Sequence, residues 1–423
     1  MRCKILLTLV LMFALSVASF AAEDWTQFRG PGGEGVSTAT GLPVEWDDST
    51  NIAWKADLPG PGTSSPVVYG DRMFLTCYSG YGVNANDPGD REDLTHHVLC
   101  LDADSGKILW DKEVGQGSKR RRYGGFVTQH GYASSTPAVD GEAVYVFFGP
   151  VGVFAFSHEG EQLWQADVGN GTHGWGTGSS PLLYEDMIIV NAGVESGSLI
   201  ALDRKTGKQV WRAGGMNQTW ASPMAVEAGD REEIVMSVRD QVKAFDPETG
   251  EQLWHCEGIH DYVCSSVVSH DGVAYVIGGR RGQSLAVRAG GEGDVSKSHV
   301  LWRAKVGSNV PSPVHHDGHL YWPHEKIGLL YCVNTENGEV VYQEKLPSQG
   351  RAPMFYASPI LADGRLYYVS RQGGTYVVAA KPEFKLLSHN TIESDNTIWN
   401  AAPIVDDGRL LIRSGKALYC IGK

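Results

Sequence analysis

Short apolar runs separated by Gly, Asn, Asp and Pro fill this chain, and they return in a fixed order. A small or polar residue followed by Pro opens each unit: Ser65-Pro66, Thr136-Pro137, Ser180-Pro181, Ser222-Pro223, Ser312-Pro313, Ser358-Pro359 and Ala402-Pro403, with Ser266-Val267 in the same slot without Pro. The steps between these marks are 71, 44, 42, 44, 46, 46 and 44 residues. That period is the size of a four-stranded propeller blade, a unit that buries its faces only against its neighbours. After each mark comes a short apolar strand, then a turn such as Asp271-Gly272, Asp317-Gly318, Asp363-Gly364 or Asp407-Gly408. Asp-Gly between apolar runs predicts a hairpin, because such turns need positive φ. A second strand follows, as at 365–369, and a third, as at 198–203.

The end of the unit is its most specific part. Asp102 to Trp110 (DADSGKILW), Asp203 to Trp211 (DRKTGKQVW) and Asp246 to Trp254 (DPETGEQLW) match one another; Asn334 to Tyr342 is a softened copy, and His158 to Trp164 a shortened one. The Asp opens a tight turn, Gly takes the strained position, and a fourth strand begins. The Trp then covers apolar area in the wedge between neighbouring blades.

The pattern Ala-x-Asp-x-x-Thr-Gly-x-x-x-Trp resembles the repeat of the PQQ-like propeller superfamily, which includes quinoprotein alcohol dehydrogenases and BamB-type outer-membrane assembly propellers. The resemblance covers about residues 53–423 and is specific for fold, weak for function. It implies an all-β, eight-bladed β-propeller of four-stranded blades. The last blade, begun at Ala402, runs out of chain after its third strand. Residues 51–58, with Trp54 placed like Trp302, are expected to supply the missing outer strand and close the ring, leaving no open sheet edge. The long first step carries about 27 extra residues, expected as a loop at 78–97. Residues 22–50 form a leader. Its Trp25-Thr26-Gln27-Phe28-Arg29-Gly30 resembles one common in exported bacterial PQQ-like proteins, and it is expected to pack across the propeller with Trp25 and Phe28 as anchors.

The N-terminus changes the picture of location. Arg2 and Lys4, an apolar run from Ile5 to Val17 and Ser19-Phe20-Ala21 read as a signal peptide over 1–21, cleaved after Ala21, and the run is short for a membrane span. The protein is expected to be exported to the periplasm or beyond, as a monomer without a transmembrane segment. The formal charge of −13 becomes −15 once Arg2 and Lys4 leave, which disfavours nucleic acid as a partner. Six Cys remain after Cys3. Cys100, Cys332 and Cys420 occupy a slot that other blades fill with Ala, so packing explains them. Cys77–Cys100 and Cys256–Cys264 stay open as disulfides.

Candidate chemistry gathers in the crossovers between blades, which ring one mouth of the channel. A His-x-aromatic triplet recurs as His130-Gly131-Tyr132, His173-Gly174-Trp175 and His260-Asp261-Tyr262. Trp220, Tyr356 and Trp399 hold neighbouring positions, with Asn309, Arg351 and Asn400. Such a ring serves either to pack the loops or to face a protein, peptide or small-molecule ligand. Lys119 to Arg122 reads as a solvated loop or an anion site. No adjacent Cys pair of the quinoprotein kind, haem signature, nucleophile elbow or P-loop occurs in the sequence. The expectation is therefore a non-catalytic binding or scaffold module. The BamB-type resemblance is weakened by the lack of a lipid-anchor Cys. The rival is a quinoprotein-like oxidoreductase holding PQQ, with or without Ca2+, in the mouth.

Overall fold

The computed structural model describes residues 24–115, 122–348 and 350–422. The expected signal peptide and Lys119, Arg120 and Arg121 lie outside them. Eight sheets follow in chain order, each built on four antiparallel strands from the axis outward; two gain a fifth, parallel strand, Val36–Ser37 on blade seven and Gly293–Asp294 on the outer edge of blade four. Blade one is Val67–Tyr69, Arg72–Ser79, Thr95–Asp102 and Ile108–Val114. The middle strands are buried along their length, as Met187–Ala192 shows, because a neighbouring blade covers each face. Outer strands alternate: in Gln209–Gly214 only Trp211 and Ala213 are buried. Blade eight is closed by the N-terminal strand Ile52–Asp57, in which Trp54 pairs with Cys420 and Asp57 with Ala417.

The repeat motif works as a latch between blades. In the Asp203 turn, the carboxylate accepts from the Thr206 N–H and hydroxyl at 2.8 and 2.6 Å, and Gly207 sits at φ +68°. A Cβ there would meet the Trp164 ring of the preceding blade at 2.5 Å, so Gly lets that ring lie flat on the turn. The indole N–H of Trp164 then donates to the Arg204 carbonyl at 2.9 Å. Trp110 repeats this on His158, Trp211 on Pro247 and Trp302 on Thr335, each at 2.8 Å. Trp54 covers Gly106 in the same way, so the closing strand also seals blade eight to blade one.

The long first step is divided differently from the sequence expectation. The second and third strands of blade one reach Ser79 and Thr95, so the loop is 80–94, and the remaining excess lies in the crossover 115–137. His96 and His97 are strand residues because blade packing takes them: His96 is buried on Phe148, and His97 bonds Ser79 and Asp111 at 2.7 and 2.9 Å. The six described cysteines are all free. Cys77 faces His97 across the ladder and Cys100 faces Phe74, so neither candidate bridge forms.

The leader crosses the face that carries the Asp-Gly hairpins. Trp25 accepts from Val68 N–H of blade one, and Thr26 from Val139 of blade two, both at 2.8 Å. Gln27 accepts from Leu183 of blade three. The buried Arg29 guanidinium donates to the Ser312 and Pro313 carbonyls of blade six. Val36–Ser37 then adds a parallel strand to Ile360–Ala362 of blade seven.

On that face, the rings of His270 and His315 stack at 4.0 Å between blades five and six, with His316 and His319 beside them. Burial first, then His270, pushes His315 down to about 4. An unfolded His titrates near about 6.5, so between those values the unfolded chain takes a proton that the folded chain refuses. Stability from this group is present above about pH 6.5 and is lost as pH falls toward 4. Calorimetric melting temperatures should drop across that window in the wild type and drop less in His315→Gln.

Candidate functional site

The crossovers and the loops joining second to third strands lie on the opposite face and surround a cavity of about 360 Å³ on the propeller axis. Phe28 from the leader lines it from the hairpin side, so the channel is a cul-de-sac whose mouth is the crossover face. Its waist is built by the residues that open each repeat. Ser65 N–H donates to Thr136 Oγ1, Thr136 N–H to Ser180 Oγ, and so on through Ser222, Ser266, Ser312 and Ser358, every bond between 2.8 and 3.0 Å. Ala402 has no hydroxyl and breaks the series. There Ser65 Oγ donates to the Ala402 carbonyl instead, at 2.9 Å. The repeated small polar residue is thus a hydrogen-bonded girdle round the channel.

One wall is aromatic. Trp175 packs against Tyr262 with centroids 3.9 Å apart and against Trp220 at 4.8 Å, and Phe126, more than half exposed, abuts Trp175 at 5.4 Å. His130 holds this wall from behind. Its Nε2 faces the Trp175 carbonyl and its Nδ1 the Ser134 hydroxyl. Burial pushes its pKa below the ordinary imidazole value. It is therefore a neutral tether with Nε2–H donating to the carbonyl.

The other wall is polar. Asn309 Nδ2 donates to the Tyr262 hydroxyl and Asn400 Nδ2 to the Gln129 carbonyl, both at 2.6 Å. Arg371, outside the lining, supports two residues of it: it lies 4.0 Å over the Tyr356 ring and donates to Gln129 Oε1 at 3.0 Å, and burial lowers its pKa. Among the described residues Glu325 is the one carboxylate lining the cavity. Ser308 and the Asn309 N–H donate to it, and His324 and Lys326 stand within ion-pair distance. Arg280 is clamped by Asp261 at 2.9 and 3.0 Å. Cys264 also lines the channel, its thiol pushed up to about 12 by burial.

Of the residues singled out from the sequence, His130, Trp175, Trp220, Tyr262, Asn309, Tyr356 and Asn400 line the cavity. The others stand elsewhere. Trp399 is fully buried and stacks on Tyr419 at 5.4 Å within the core of blades seven and eight. Tyr132 is buried between Tyr78 and Tyr81. His173 packs behind the wall, on Trp220. His260 is exposed beside Asp240, and Arg351 is exposed. The triplet does not fix direction because each crossover has its own length. Sequence reasoning missed Phe126 and Gln129 in a crossover, and Arg280, Glu325 and Lys326 in the loops joining second to third strands. Antiparallel order alone places those loops on the crossover face, so strand counting was the available signal.

Among the described residues no group of three or more His, Cys, Asp or Glu could hold a metal ion. Among the described residues the channel lining holds one carboxylate, Glu325, and one Cys, Cys264. No described helix is long and apolar enough to cross a membrane.

Known proteins share this build. Europium-containing methanol dehydrogenase superposes with a TM-score of 0.69 at 13% identity, covering 95% of this chain and 98% of that one. BamB from Moraxella catarrhalis superposes with 0.60 at 13%, covering 87% and 96%. At this identity both likenesses speak to fold. In sequence, the outer membrane protein assembly factor BamB of Yersinia pestis is 23% identical over 81% of this chain and 92% of its own length, and that of Burkholderia pseudomallei (strain K96243) 23% over 82% and 84%. The family model described as outer membrane protein assembly factor BamB matches residues 94–258 and 238–383. With eight blades and Trp-on-Gly latches at Gly106, Gly160, Gly207, Gly250 and Gly338, the chain belongs to the PQQ-like β-propeller family of BamB.

Proposed function

We propose that this protein is an exported, non-catalytic binding module that takes its ligand or a partner's segment into the channel through the crossover mouth. The observation that carries this reading is the cul-de-sac itself: a channel backed by Phe28, with clustered aromatics along one wall and Phe126 and Trp175 reaching solvent at the rim. Its volume falls within the roughly 300–1,000 Å³ of small-molecule sites. Likeness to BamB proteins supports a scaffold role and export. Likeness to a dehydrogenase supports the rival, a quinone cofactor in the same mouth.

Two measurements separate the readings. Purified protein given PQQ and Ca2+ should develop no quinone absorption band and reduce no dye with alcohols; a band with dye reduction would establish the rival. Trp175→Ala should abolish ligand-induced thermal shifts from a panel of small molecules and peptides, while costing less than about 1.5 kcal/mol, since Trp175 is only partly buried. If binding falls only with the folded fraction, the aromatic wall is packing.

A further inference from the structure

We infer that the channel takes a small uncharged saccharide, a mono- or disaccharide; this rests on the mouth being a ligand site. The fold leaves hydrogen-bonding groups of both kinds unused along the channel. The Gln129 carbonyl can only accept, which fixes the Asn400 amide with Nδ2 toward it and leaves its buried Oδ1 with no donor. Asn309 Oδ1 is in the same state. Asn309 and Asn400 are each more than nine-tenths buried and line the cavity. In the same lining, the girdle hydroxyls from Thr136 to Ser358 each accept an N–H, and among the described residues none has an acceptor for its own proton. Buried groups of this kind are costly to leave unpaired. A ligand that answers both sets must donate and accept within a short span, as adjacent sugar hydroxyls do.

The aromatic wall supplies the second half of the match. Tyr262 meets Trp175 and Trp220 edge to face, the two indoles are tilted at 41° to each other, and all three line the cavity. The C–H face of a pyranose stacks on such a surface while its rim hydroxyls stay free. Charge argues the third part. Arg280 is paired with Asp261, and Lys326 with Glu325, so an ionic ligand would have to break a pair already made. Phe28 backs the channel and favours a short ligand over a chain threaded through it.

The test is saturation-transfer NMR with isothermal titration of the mature protein, using glucose, galactose, N-acetylglucosamine, cellobiose and maltose. A tripeptide set and PQQ serve as the other arms. At least one sugar should bind saturably, and Trp175→Ala should weaken it tenfold or more. Phe126→Ala, at a mostly exposed position that folding tolerates, should weaken it several-fold. If no sugar binds at millimolar concentration while a peptide or PQQ binds and loses affinity in Trp175→Ala, the saccharide inference is overturned and the mouth remains the site. Sugars binding both variants as tightly as the wild type would overturn the inference and the site together.

Discussion

A chain lacking residues 51–58 is expected to elute as aggregate and to melt without a cooperative transition. The strand Ile52–Asp57 does two jobs. It pairs with Ala417–Ile421, so its loss leaves a sheet edge with unpaired backbone groups and a bare apolar face. It also carries Trp54, which covers the Gly106 turn of blade one, so the ring opens at the seam between blades eight and one. Size-exclusion chromatography with light scattering and calorimetry read both effects. A monomer with an unchanged melting temperature would mean that blade eight is completed by some other segment.

Trp254→Ala should cost about 3–5 kcal/mol in urea unfolding, the range for deleting a buried aromatic. Trp254 is fully buried, and its indole N–H donates to Glu233 at 2.7 Å. Glu233 is itself fully buried, so the substitution opens a cavity and removes a donor from a carboxylate that has no access to water. Trp211→Ala should fall in the same range, because it uncovers the Gly250 turn and the Pro247 carbonyl. Trp110→Ala should cost less, since part of that ring already meets solvent. Equal losses near zero at all three positions would show that these rings are not the wedges between blades.

The fold was legible because each blade repeats one physical solution. Asp-Gly hairpins, the Asp-to-Trp turn and the landmark before each inner strand occur at a fixed spacing, and each has a local cause. The site was legible only in part, for a reason visible in Trp175 and Trp399. Both stand a few residues before a landmark, yet Trp175 lines the channel and Trp399 lies under Gly373 against Tyr419. Which way such a ring turns depends on the neighbouring blade, and no local pattern records that. Phe28 is a similar case. Its residue type suggested an anchor, but its place at the back of the channel follows from Arg29 reaching blade six, some 283 residues away in sequence. The landmark residue was read as small or polar, whereas its hydroxyl proved to be the bond from blade to blade.

The leader also bears on how such a chain is made. Residues 29–57 are synthesised long before many of their partners: Arg29 waits for Ser312, Val36 for Leu361, Asp48 for Ser394 and Asn51 for Gly422. Separations of 283 residues and more mean that the buried Trp46, whose N–H bonds Asn390, stays without its burial site until nearly the whole polypeptide has emerged. Contacts this distant make for slow folding, and they keep apolar surface open to holding chaperones in the meantime. The same arrangement works as a proof of length. A polypeptide that stops before Ala417 lacks the strand that Ile52–Asp57 pairs with and keeps an open ring.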